Sequence, residues 1–98
     1  MTESQIEARL VGGVRSLGGV AFKFTSPGNA GVPDRLIILP GGHVLFAELK
    51  TKEGRPSKIQ RFQIDRLRRL GVHASLVVGQ EGVDDFLALC RIIITEEE

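Results

Sequence analysis

The stretch Pro33-Asp34-Arg35-Leu36-Ile37-Ile38-Leu39-Pro40-Gly41-Gly42-His43-Val44-Leu45-Phe46-Ala47-Glu48-Leu49-Lys50 decides the fold. Two apolar, β-rich runs, Arg35 to Leu39 and His43 to Leu49, flank Pro40-Gly41-Gly42, which is turn chemistry, so the segment reads as a β-hairpin. A three-residue turn pairs Leu39 with His43 and, down the ladder, Asp34 with Glu48. Strand side chains repeat every two residues, so Glu48 and Lys50 point to the same side. Two carboxylates and an ammonium therefore meet at the open end of one hairpin. A register slip of one residue sends Asp34 to the opposite face and dismantles the group.

Both faces of the two strands are apolar, which predicts a central place in a covered sheet. Asp34, Glu48 and Lys50 are then polar exceptions at the ends of buried strands. Unpaired, they cost several kcal/mol, a penalty that mutual pairing and a bound cation offset. A structural ion pair between Lys50 and one acid is the plainer explanation, and it leaves the second acid unexplained. Two carboxylates are hard oxygen ligands suited to a Mg²⁺-type ion, and a neighbouring ammonium can orient a water and neutralise a phosphate.

Outward from the hairpin, Thr2-Glu3-Ser4-Gln5 offers a capping box, with Ser4 and Glu7 an alternative one. Ile6, Leu10, Val14 and Leu17, widened by Val11, mark a helix that Gly18-Gly19 ends. Glu7 sits at the edge of that stripe, from where it reaches inward or simply favours the helix dipole, as Glu3 does. Val20 to Phe24 is a further strand. The loop Thr25 to Pro33, with two prolines and two glycines, is kinked and stiffened, a kind of loop that commonly carries function. Ser57 caps a helix to about Leu70, with Ile59, Phe62, Leu67 and Leu70 expected inside and Gly71 as the stop. Gln60 and Gln63 share a flank of that helix. Ala74 to Val78 is a fourth strand, parallel to its predecessor through a β-α-β crossover. After Gly79 to Gly82 a last helix carries Val83, Phe86, Leu87 and Cys90 on one side, with Asp84 and Asp85 in its first turn. Arg91-Ile92-Ile93-Ile94-Thr95 reads as a helix end, an added edge strand or a dimer contact.

The run Gly31-Val32-Pro33-Asp34, the triplet Glu48-Leu49-Lys50 and the helix start Pro56-Ser57-Lys58-Ile59-Gln60 together resemble the VRR-NUC family of the PD-(D/E)xK nuclease superfamily. The resemblance runs from about Glu7 to about Val78. It implies an α/β fold with a restriction-endonuclease-like αβββαβ core, here followed by a C-terminal helix, and a mixed sheet flanked by helices. It also implies a Mg²⁺- or Mn²⁺-dependent DNA endonuclease. Asp34 and Glu48 would be ligands, joined by the backbone carbonyl of Leu49 and by Glu7 on the first helix. Lys50 would position the water, supported by a glutamine that context assigns to Gln60, with Gln63 the rival. Small stand-alone members are similar to Holliday junction resolvases, which implies branched DNA as substrate and a homodimer. A catalytically silent nucleic-acid-binding module on the same scaffold is the alternative reading.

Ninety-eight residues with 42% hydrophobic content suit one domain spanning 1–98. The net charge of +1 hides an uneven distribution. Without the terminal Glu96-Glu97-Glu98, nine acids face thirteen bases, a balance of +4. From Lys50 to Arg69 eight basic residues stand against two acids. Of these, Lys52, Arg55, Lys58 and Arg61 are the expected phosphate contacts, which give affinity but little base specificity. No apolar run reaches membrane-span length and no signal peptide is evident, so the expected setting is the cytoplasm of a bacterium or phage-infected cell. Cys90, alone, offers neither a disulfide nor a cysteine zinc site. His43 and His73 have no second histidine or cysteine at ligand spacing. No motif for a small organic cofactor is present; the glycines between Gly28 and Gly31 are too short a run for a phosphate-binding loop.

Overall fold

The computed structural model describes residues 1–96. The chain runs α1 (Glu3–Ser16), β1 (Val20–Lys23), β2 (Arg35–Leu39), β3 (His43–Lys50), α2 (Lys58–Arg69), β4 (His73–Val78) and α3 (Gly79–Glu96). The four strands form one sheet in the order β1-β2-β3-β4. The first two pairings are antiparallel and β3–β4 is parallel, as a helical crossover demands. This is the αβββαβ arrangement with a mixed sheet and an added C-terminal helix.

The hairpin has the expected register, with Leu39 opposite His43 and Arg35 opposite Ala47. Its turn explains why. Gly42 N–H donates to the Leu39 carbonyl at 3.1 Å, and Gly41 and Gly42 hold φ of 91° and 81°, values that glycine adopts without strain. Pro40 ahead of Gly41 is the type II pattern.

α1 and α3 lie together on one face of the sheet. Ile6, Leu10 and Val14 meet Ile37, Leu39, Leu45, Ala47, Leu49 and Val77, and Val83, Phe86, Leu87, Cys90 and Ile93 close the layer. α1 starts with the Thr2–Gln5 capping box, not the Ser4–Glu7 alternative. On the other face α2 packs against β4, where Ile64 and Ala74 are buried.

Three expectations change. The sheet is covered fully on one face only: Val20 and Phe22 of β1 and Val44 of the hairpin, on the other, are 39%, 51% and 46% exposed. One twelve-residue helix over β4 cannot also roof β1 and β2. α2 turns Gln63 and Ile64 inward, whereas Ile59, Phe62 and Leu70, expected inside, are exposed; only Leu67 of the expected set is part-buried. Polar contacts made by Gln60 and Gln63 rotate the helix. Finally, α3 starts at Gly79 and continues through Arg91–Thr95 to Glu96, which removes the edge-strand reading of the isoleucines. Ile93 joins the core while Ile92 is exposed, so packing against α1 and the sheet overrides the β preference of isoleucine. Glu97 and Glu98 of the acidic tail lie outside the described residues. Among the described residues no helix is long and apolar enough to cross a membrane.

Candidate active site

Asp34 directly precedes β2. Its carbonyl accepts from Phe24 N–H at 2.7 Å, which extends the β1–β2 ladder past Lys23 and fixes the residue at the strand mouth. The β2–β3 register then sets Asp34 in line with Glu48, the next pair beyond Arg35 and Ala47. Glu48 is 5% exposed. One of its oxygens, Oε2, accepts from Gln60 Nε2 at 3.4 Å and lies 3.7 Å from Lys50 Nζ. Asp34 Oδ1 is buried with no hydrogen-bond partner among the described residues. Burial is the main cause that lifts both carboxyl groups above their ordinary pKa. Each also feels another acid: Asp34 raises Glu48, and Glu7 raises Asp34. Arg35 and Lys23 oppose the rise at Asp34, and Lys50 opposes it at Glu48.

The helix that supplies Gln60 is fixed from its first turn. Ser57 accepts from Gln60 N–H at 3.2 Å and Gln60 Oε1 accepts from Ser57 N–H at 2.9 Å, a reciprocal capping box. With its oxygen used by the cap, the Gln60 amide directs its nitrogen to Glu48. Gln63 has another task. It is 8% exposed and donates to the Ala30 carbonyl at 3.0 Å, tying the loop that delivers Asp34 to α2. Gly31 completes that tie: at φ 83°, a Cβ there would sit 2.8 Å from the Ile59 carbonyl carbon and oxygen, so only glycine lets the backbones approach.

Glu7 stands on the α1 side. Its Oε2 is 3.4 Å from Arg35 Nη2 and its Oε1 is 3.9 Å from Lys23 Nζ. Among the described residues no three of His, Cys, Asp and Glu gather closely enough to hold a metal ion. Asp34 and Glu48 thus form the pair, and Glu7 lies beside it in cationic company. The sequence reading did not single out Arg35 and Lys23. The available signal was their position: both lie on the α1 side of paired strands, opposite each other. Leu49 is buried in β3. Lys52, Arg55, Lys58 and Arg61 are all exposed along the β3–α2 loop and the first turn of α2, and none makes an ion pair among the described residues.

The pair, its lysine and its glutamine match the chemistry of hard-cation phosphodiesterases: two carboxylates of which Asp34 Oδ1 is left open, an ammonium against the other acid, and a basic approach. No family model matches the chain. A protein of Acyrthosiphon pisum secondary endosymbiont phage 1, named "Putative nuclease p44", is 42% identical over 85 residues, 87% of this chain and 90% of that protein. A solved structure described as "VRR_NUC domain" superposes with a TM-score of 0.80 at 31% identity, covering 88% of this chain and 94% of that one. Similarity at that level over nearly the whole of both, together with the Asp34, Glu48 and Lys50 constellation, means that the chain belongs to the VRR-NUC family.

Proposed function

We propose that this chain is a cytoplasmic Mg²⁺- or Mn²⁺-dependent DNA endonuclease that hydrolyses phosphodiester bonds, acts on branched DNA and works as a homodimer. The observation that carries the reading is the buried Asp34 Oδ1, lacking a protein partner beside a second desolvated carboxylate that already holds Lys50 and Gln60. A buried acceptor left open is unfavourable by about 1–3 kcal/mol, and a divalent cation removes that deficit. The donor set fits: Asp34 and Glu48 would hold the ion, with the Leu49 carbonyl and Glu7, directly or through water, completing the shell. When bound, such an ion supplies an acidified water and offsets phosphate charge.

The remaining chemistry belongs to the side chains. Lys50 Nζ, 3.7 Å from Glu48, donates a hydrogen bond to the attacking water and stabilises negative charge that builds on the phosphate in the transition state. Gln60 restrains the Glu48 carboxylate through Oε2. Lys52, Arg55, Lys58 and Arg61 hold phosphates on either side of the cleaved bond, giving affinity without base reading. Selection of branched DNA follows from shape. A small body presents few base contacts, whereas a two-fold dimer offers two sites to symmetrically related strands. The uncovered half of the sheet supports a dimer, because Val20, Phe22 and Val44 form an exposed apolar face there.

The test is cleavage of linear, flap and four-way DNA with Mg²⁺ or Mn²⁺, using wild type and Lys50→Ala. Wild type should cut the branched substrates; Lys50→Ala should lose cleavage by at least about a hundredfold while binding the same DNA. Binding without cleavage by wild type, with either ion, would replace the enzyme by a nucleic-acid-binding module.

A further inference from the structure

Two cations behind Asp34, Arg35 and Lys23 on the α1 side of the sheet, have no part in the chemistry above, yet both approach Glu7. Arg35 is 8% exposed. Its Nη1 donates to the Ala21 carbonyl at 3.4 Å, its Nη2 lies 3.4 Å from Glu7 Oε2, and its Nε has no partner among the described residues. A guanidinium carries five donors in a rigid fork and, when buried, is normally saturated by short contacts. Here a desolvated cation makes two long ones. Lys23 adds a second charge, 3.9 Å from the other Glu7 oxygen. Glu7 is therefore flanked by cations on both oxygens, at separations loose enough to break, beside an aspartate whose own oxygen lacks a partner.

We propose that Arg35, assisted by Lys23, is the resident counter-ion of this acidic site: a positioning residue that holds Glu7 and offsets Asp34 until a divalent cation arrives, then releases Glu7 to it. The proposal rests on the reading of Asp34 and Glu48 as metal ligands. Arg35 and the incoming ion compete for one carboxylate, so the strength of the resident pair sets the ion's apparent affinity. Removing the competitor should tighten metal binding, the opposite of what loss of an ordinary supporting residue does.

Titration calorimetry with Mn²⁺, alongside melting curves with and without the ion, tests this on wild type, Arg35→Met, Glu7→Gln and the double variant. Arg35→Met should bind Mn²⁺ about tenfold more tightly, melt lower without metal, and gain more in Tm on adding it. Glu7→Gln should bind more weakly, and in that background Arg35→Met should gain less than about threefold, because the contested carboxylate is gone. Equal or weaker binding by Arg35→Met overturns the proposal. Should that variant not fold, Lys23→Gln replaces it, at a side chain 67% exposed. An approximately threefold tightening is then expected, and no tightening overturns the proposal. Wild type binding no Mn²⁺ overturns the metal reading and this inference with it. Saturable wild-type binding that Arg35→Met leaves unchanged overturns this inference alone.

Discussion

Asp34 and Glu48 are held where ionisation is unfavourable, and that sets how single residues should respond to pH and substitution. Both folded-state pKa values lie above the ordinary range, chiefly through burial. For an acid shifted upward, the stabilising contribution is fully present below the unfolded-state pKa and is lost as pH rises through the folded-state value. Once pH exceeds the folded-state values, the metal-free fold therefore carries two charges that it disfavours. Asp34→Asn removes one and should raise the metal-free Tm by about 2 °C or more at pH 8, with the gain shrinking as pH falls into the carboxylate range. The same variant should cut DNA at least about a hundredfold more slowly. Melting curves at several pH values check the first outcome, and a lower Tm at pH 8 would contradict it. Cys90 is the residue-scale contrast. Burial pushes its thiol up to about 11, so a thiol reagent at pH 8 should label it only after unfolding; rapid labelling of the native protein would show that the core opens there.

At the scale of elements, the hairpin was legible because turn chemistry and strand parity are local: Pro40-Gly41-Gly42 fixes the register, and the register brings Asp34, Glu48 and Lys50 to one side. The inner face of α2 was not legible. Periodicity points the apolar residues inward, but Gln60 and Gln63 take inner positions because a carboxylate in β3 and a carbonyl in the loop before β2 await them there. Those partners are distant in sequence, so no window along the helix contains the signal. The same holds for Glu7, whose Arg35 partner lies one strand hairpin away from α1. Gly31 joins the two kinds of information. It is visible in sequence as a loop glycine, yet its reason is the Ile59 backbone across the gap. Gly31→Ala combines a positive φ with that contact and should destabilise the protein by about 1–3 kcal/mol. Activity should fall further than stability, because the loop that positions Asp34 must shift away from α2. Denaturant unfolding together with the cleavage rate measured well below Tm separates the two effects; a full rate in a destabilised protein would show that the loop does not set Asp34.

Across the whole molecule, apolar surface is distributed unevenly. Of eight large hydrophobic residues left exposed among the described residues, Val20, Phe22 and Val44 lie on the bare half of the sheet, while Ile59 and Phe62 lie on α2 and Leu70 caps it, the helix being packed on that same side. Six of eight on one side is a concentration that scattered surface residues do not produce. Alternation puts the part-buried Leu36 and Phe46 on the same sheet face, and the Phe24 and Phe46 rings meet edge-on with centroids 5.4 Å apart. Asp34, Glu48 and Lys50 emerge on this side too, at one end of the strands. A two-fold pairing of bare sheet halves would hide the apolar face and leave two acidic sites at its margins, each with its own basic loop. Val44→Glu tests this at a side chain 46% exposed, where a charge is tolerated in the monomer and buried in the pair. It should leave the monomer Tm within about 2 °C and weaken self-association at least tenfold, by roughly 1.4 kcal/mol or more. Cleavage of four-way DNA should fall much more than cleavage of a flap, since only the junction needs two sites acting together. Light scattering across micromolar concentrations reads the association state. A wild-type protein that stays monomeric throughout, or a Val44→Glu protein that still dimerises and resolves junctions normally, would place the partner of this apolar face elsewhere.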